Sequence, residues 1–204
     1  MAGTDSVVQI DEGSGKMLAH VQRSVASNTV YQQVSLIGEA YLPTYTATAT
    51  TAMTMGANDH LFELQGATIN RLYLRKIEVC QLANATAVTA AVQLMRTTTA
   101  GTGGSSYTPA ATDPTSSATT ATFRGGLSAN KGTEGTVLGE WTMPMFAAPG
   151  VLAKPALVLE WSDPRVQPPT IAGGNANGLA LKLITAVTSG TCLIIVTFSE
   201  WFAS

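Results

Sequence analysis

The stretches Asn177-Gly-Leu-Ala-Leu-Lys-Leu-Ile184 and Cys192-Leu-Ile-Ile-Val196 decide the fold. In the first, Leu179, Leu181 and Leu183 alternate with Ala180, Lys182 and Ile184, the two-residue period of a half-buried strand. Asn177-Gly178 just ahead of it is a strong turn signal. The second stretch is continuously apolar and rich in β-branched residues, which predicts a strand covered on both faces, and Gly190 marks the turn between the two.

The same punctuation runs back to His60. His60 to Gln65 reads as a short strand closed by Gly66. Leu72 and Leu74 share a face, then the phase slips so that Ile77 and Val79 continue it, which places a bulge at Arg75 and Lys76. Val88, Ala90, Val92 and Leu94 alternate with Thr89, Ala91, Gln93 and Met95. Thr119 to Arg124, Thr136 to Met143 and Ala156 to Trp161 read as further strands between Gly- or Pro-bearing turns. About eight strands at this spacing predict an all-β domain over residues 56–204, a two-sheet β-sandwich of jelly-roll type.

Residues 1–55 differ in texture and read as an extended N-terminal arm or linker. Ser14 is placed to cap a short helix in which Leu18, Val21 and Val25 share one face. Val30 to Leu42 reads as a strand, and Thr44 to Thr54 is a Thr/Ala run of high β-propensity and little bulk.

Between two strand-like segments, Thr97 to Thr122 consists almost entirely of Thr, Ala, Gly, Ser and Pro, with Asp113 its only charge. Side chains this small bury too little apolar area to offset the entropy of ordering them. The expectation is a loop that stays mobile until a partner holds it, with Thr102 and Tyr107 among its contact residues. In the arm, Val7, Val8 and Ile10 form a β-branched patch suited to adding a strand to a neighbour's sheet edge.

Charged residues make up 12 % of the 204, against about 25 % in an ordinary soluble domain. A surface so poor in ions is weakly protected against association. The net charge of −2, with Arg71, Arg75 and Lys76 the densest basic group, argues against nucleic acid as a partner. No apolar run approaches the roughly 18 residues that span a bilayer. The start Met1-Ala-Gly-Thr-Asp-Ser lacks a secretory pattern, so an unprocessed cytosolic product is expected. Cys80 and Cys192 lie in predicted strands and read as buried free thiols.

No constellation for catalysis, cofactor or metal emerges. The two histidines, His20 and His60, are not accompanied by a nucleophile motif. Asp59, His60 and Glu63 form the one local group of metal-ligand types, but positions three apart on a strand face opposite ways, so His60 and Glu63 are not expected to meet. Asp11, Glu12 and Asp113 lack the dense spacing of a calcium loop. Asp11-Glu-Gly-Ser-Gly-Lys16 fails as a phosphate loop because Met17 follows the lysine, and Gly101-Thr-Gly-Gly104 lacks the third glycine of a dinucleotide site. Glu140, Glu160 and Glu200 each precede a tryptophan (Trp141, Trp161, Trp201), and alternation predicts a core Trp beside an outward Glu.

Asn58-Asp-His-Leu-Phe-Glu-Leu64, Leu72-Tyr-Leu-Arg-Lys-Ile-Glu-Val79, and Gln93-Leu-Met-Arg-Thr97 leading into Thr-Ala-Gly-Thr-Gly-Gly104 and Thr108-Pro109 resemble tailed-bacteriophage virion proteins, as does the closing Phe198-Ser-Glu-Trp201. The likeness spans residues 58 to 202 and leaves the arm outside it. It implies a small β-sandwich component of a phage particle, without catalytic residues: a capsid decoration or cement protein that binds the major capsid protein. It also implies self-association, as a homotrimer at local three-fold positions. The competing expectation is a head-fibre or tail component that binds a host receptor or glycan, with Tyr41, Tyr45 and Tyr107 as candidate aromatics.

Overall fold

The structure, a computed structural model, describes residues 20–25, 28–33, 42–52, 55–66, 69–83, 88–145, 155–161, 167–174, 177–187 and 190–201. The chain divides into two units, Met1–Tyr41 and Leu42–Ser204.

What is described of the first unit is a hairpin of β1 (His20–Val25) and β2 (Asn28–Gln33), paired antiparallel from His20↔Gln33 to Val25↔Asn28. The helix expected over Leu18, Val21 and Val25 is therefore a strand at its last two positions. A spacing of four satisfies both the helical and the extended period, and β-branched Val21 and Val25 favour the extended one. Ser14 and Leu18, together with Val7, Val8 and Ile10, lie outside the described residues.

The second unit holds β3 (Thr44–Ala52), β4 (His60–Gln65), β5 (Arg71–Ala83), β6 (Val88–Thr97), β7 (Ser105–Tyr107), β8 (Ala110–Ala111), β9 (Thr122–Leu127), β10 (Glu134–Met145), β11 (Leu157–Glu160), β12 (Thr170–Ile171), β13 (Gly178–Leu183) and β14 (Thr191–Trp201). One sheet runs β11-β5-β14-β3-β8, with β12 also on β5; the other runs β10-β6-β13-β4-β9-β7. Leaving aside the short or inserted strands β7, β8, β9 and β12, the orders become β3-β14-β5-β11 and β4-β13-β6-β10. Successive strands then alternate between the sheets except at β6 and β10, which pair with each other, and the first strand pairs with the last: this is the jelly-roll arrangement.

The run Thr44–Ala52, assigned to the arm from sequence, is a strand of the body, paired over its whole length with β14. Its alternation explains why. Tyr45, Ala47 and Ala49 are fully buried while Thr48 and Thr50 are exposed, so small alanines pack the inner face and threonines suit the outer one. The body begins at Leu42, not at residue 56.

Between the sheets lies one core that includes Phe62, Leu64, Leu72, Leu74, Ile77, Val79, Val92, Leu94, Phe123, Leu181, Ile194, Val196 and Phe198. The bulge expected at Arg75 and Lys76 is present: Thr197 pairs with Lys76 but Phe198 with Leu74, so Arg75 is the extra residue. Strand β14 is not covered on both faces as its unbroken apolar run suggested. Cys192, Ile194, Val196 and Phe198 are fully buried, whereas Leu193 and Ile195 remain half-buried on the outer face of the first sheet.

Candidate functional site

The long Thr/Gly/Ser segment is the site the sequence singled out, and the body itself holds it. The insertion between β6 and β10 leaves one sheet and reaches the other. Strand β7 pairs with β9 at the edge of the second sheet, and β8 pairs with Tyr45 and Thr46 of β3 at the edge of the first. The expectation of a mobile loop is thus corrected. Small side chains do bury little area, but the segment is ordered through main-chain hydrogen bonds, which Thr, Gly and Ser make as well as any residue.

Two buried carboxylates anchor its ends. Glu63, fully buried on β4, accepts the Gly101 amide on Oε2 at 2.9 Å and the Gly132 amide on Oε1 at 2.8 Å, so one carboxylate holds both connections that cross the outer face of the second sheet. Gln65 Nε2 adds a third donor at 3.0 Å. A Cβ on Gly101 would lie 2.4 Å from Glu63 Oε2, so glycine permits the close approach. At the far end, Glu200, also fully buried, accepts Asn70 Nδ2 at 2.8 Å, the Thr119 hydroxyl at 2.5 Å and the Thr120 hydroxyl. Beside it the Tyr45 hydroxyl donates to Ser117 O at 2.7 Å. Burial, with the Glu200 charge adding to it, pushes the Tyr45 phenol up.

His60 and Glu63 do meet, against the alternation argument. His60 Nδ1 lies 2.6 Å from Glu63 Oε1, and Nε2 lies 3.3 Å from Glu134 Oε1. Glu134 Oε2 in turn accepts Lys182 Nζ at 2.7 Å. The cause is a register slip: Leu181 pairs with Phe62 but Lys182 with His60, so Leu61 is an extra residue. It turns His60 to the same face as Glu63. Burial alone would raise the Glu63 carboxyl; the His60 hydrogen bond, the Gly132 and Gly101 amides and the His60 charge outweigh it and hold the group below the usual carboxylate range. For Glu134 burial is outweighed in the same way, chiefly by Lys182 and His60. Among the described residues no group of three His, Cys, Asp or Glu side chains is disposed to hold a metal ion.

Of the partner-binding residues read from sequence, Thr102 is exposed and lies in the clamped part of the segment. Its amide donates to Asn130 O at 2.8 Å, and Arg124 Nη1 donates to its carbonyl at 3.0 Å. Tyr107 is half-buried, packs its ring 6.3 Å from that of Phe123, and donates its hydroxyl to Thr50 O at 3.0 Å. Tyr45 is fully buried and stacks on Phe198, which removes it as a surface aromatic; Tyr41 lies outside the described residues. The Glu-Trp steps split. Glu140 and Glu160 face outward beside half-buried Trp141 and Trp161, as expected, but at the third step Glu200 is the buried member and Trp201 is 51 % exposed. Glu200 keeps the inward phase of Val196 and Phe198, and threonines and an asparagine around it satisfy the carboxylate there.

A second feature, not legible from the sequence, is the outer face of the first sheet. Its rows pair Thr50 with Leu193 and Cys80, and Thr48 with Ile195, Glu78 and Val158. Val158 is 45 % exposed. Lys76 and Glu78 of this face pair with each other at 3.1 Å, and exposed Glu160 stands across from Lys76 in the next row. With the fold and these surfaces in view, no known protein family matches the chain, and neither a curated protein nor a solved structure matches it.

Proposed function

We propose that this chain is a non-enzymatic structural protein of a phage virion, a capsid decoration or cement protein that binds the major capsid protein and associates with itself as a trimer on the particle. The observation that carries the reading is the central part of the outer face of the first sheet, where Leu193, Ile195 and Val158 stand among threonines. A flat face of this kind makes weak contacts one at a time. Repeated over a shell, such contacts add by avidity. The clamped insertion supports the same reading, because a surface already ordered loses little entropy when a neighbour packs on it. The resemblance of residues 58–202 to phage virion proteins supplies the setting.

The test is quantitative mass spectrometry of virions, together with rebinding of the purified chain to shells stripped of it. Copy numbers comparable to the major capsid protein, and loss of rebinding in Ile195→Lys and Val158→Lys with unchanged melting, are the expected results. A few copies per particle would place the chain in a fibre, neck or tail. Undiminished rebinding by both variants would remove the outer face from the contact.

A further inference from the structure

Where β5 begins and β14 ends, Ile69, Arg71, Tyr73 and Trp201 line a cleft of about 370 Å³. Arg71 and Trp201 are cross-strand partners, as are Tyr73 and Ser199. Two apolar side chains stand open at its walls: Ile69 is 67 % exposed and Trp201 51 %. The polar groups between them are donors without work. Among the described residues neither the Arg71 guanidinium nor the Tyr73 hydroxyl has a hydrogen-bond partner. Arg75 sits 6.0 Å from the Tyr73 ring centroid, and among the described residues that line the cleft none is a carboxylate.

The main chain narrows what fits. Here β5 is paired on both sides, through Arg71↔Trp201 and Tyr73↔Ser199 to β14 and through Leu72↔Ile171 and Tyr73↔Thr170 to β12. Among the described residues β5 itself has no free backbone edge here for an added strand, so a ligand on it is read by side chains. That favours a compact ring over an extended peptide, and the volume lies at the lower end of the range of small-molecule sites.

We propose that this cleft binds a carboxylated pyranose, a sugar of the uronic-acid type, with its C–H face on the Trp201 indole and its carboxylate on Arg71. An exposed indole offers a flat apolar platform, and a guanidinium takes a carboxylate through two parallel hydrogen bonds. A neutral sugar would leave the guanidinium unused. The proposal holds whether or not the chain coats a shell.

The test titrates the full chain with methyl glucuronide and with methyl glucoside and follows the tryptophan indole N–H resonances by NMR. The glucuronide should shift the Trp201 signal with a Kd on the order of 1 mM, as suits a few exposed contacts. Trp201→Ala, which lacks the reporter and is read instead by saturation transfer to the sugar protons, should abolish binding. Arg71→Gln should weaken it about tenfold and erase the preference for the acid over the neutral sugar, with melting unchanged in both variants. Equal shifts from the two sugars, or none at about ten times that concentration, would overturn the proposal. Tighter binding of triglutamate than of glucuronide would also overturn it, assigning the cleft to a protein carboxylate.

Discussion

His60 and Glu63 stand three residues apart on one strand, yet their side chains meet at 2.6 Å with both fully buried. The extra residue Leu61 makes this possible, and through it a strand of the core reaches out to hold two surface connections. Both His60 ring nitrogens face carboxylate oxygens, Nδ1 that of Glu63 and Nε2 that of Glu134. The pair is therefore a fastening between sheet and insertion.

Glu63→Gln should destabilise the body by about 3 kcal/mol, the cost of removing a buried carboxylate from its hydrogen bonds and misdirecting an amide at a bonded N–H. Urea unfolding measures the loss. Hydrogen exchange should locate it, with the Gly101 and Gly132 amides losing protection first; unchanged protection there would contradict the clamp.

Acid should loosen the same region. The Glu63 and Glu134 carboxyls lie below the usual range when folded, facing His60, Lys182 and the Gly101 and Gly132 amides, so the unfolded chain binds more protons than the folded one as pH falls. Their contribution is complete above the ordinary carboxylate value of about 4.3 and is lost as pH drops through the lowered folded values. Melting temperature should decline over that interval, and less steeply in Glu63→Gln. Parallel curves for the two proteins would rule out Glu63 as a source.

Gly103→Ala and Gly135→Ala should differ sharply. A Cβ at Gly103 would lie 1.9 Å from Ala129 O, whereas at Gly135 the nearest atom is 3.3 Å away. Backbone must shift substantially in the first case, at about 1 to 3 kcal/mol, and by only a few tenths of an ångström in the second. Denaturation midpoints of the two variants compare them directly.

Thiol reactivity should be split between the cysteines. Cys192 is fully buried, and its thiol is pushed up to about 12 by burial and by the neighbouring Cys80; Cys80 is half-buried, its thiol raised by burial and then by Glu78. In native protein an aromatic disulfide reagent should modify Cys80 slowly, and Cys192 only at the rate of unfolding. Fast modification of Cys192 would show that β14 opens locally.

Much of the body was readable because its strands keep a period of two. The alternation at Leu179, Leu181 and Leu183 and the phase slip at Arg75 are properties of a few consecutive residues, and both reappear in the sheets. The site was harder to read because its contacts join distant positions. Glu63 bonds Gly101 and Gly132, and Glu200 bonds Asn70, Thr119 and Thr120, pairings that no local window contains. Two signals were nonetheless present: a carboxylate inside the apolar strand His60-Leu-Phe-Glu-Leu-Gln65, and glycines in a segment otherwise able to use any small residue. The Thr44–Ala52 strand is hard to assign to the body from sequence because alanine, not a bulky residue, fills its inner face.

Thr44 and Ser199 share a hydrogen bond between hydroxyls at 3.1 Å, since the first and last strands of the body are neighbours. The chain of the body thus ends beside where it begins, and the order in which the strands are encoded is separable from the shape they make. A body of this kind can be cut at an exposed turn such as Asp113–Ser116 and rejoined near Ser199 and Thr44 while keeping every pairing of the core.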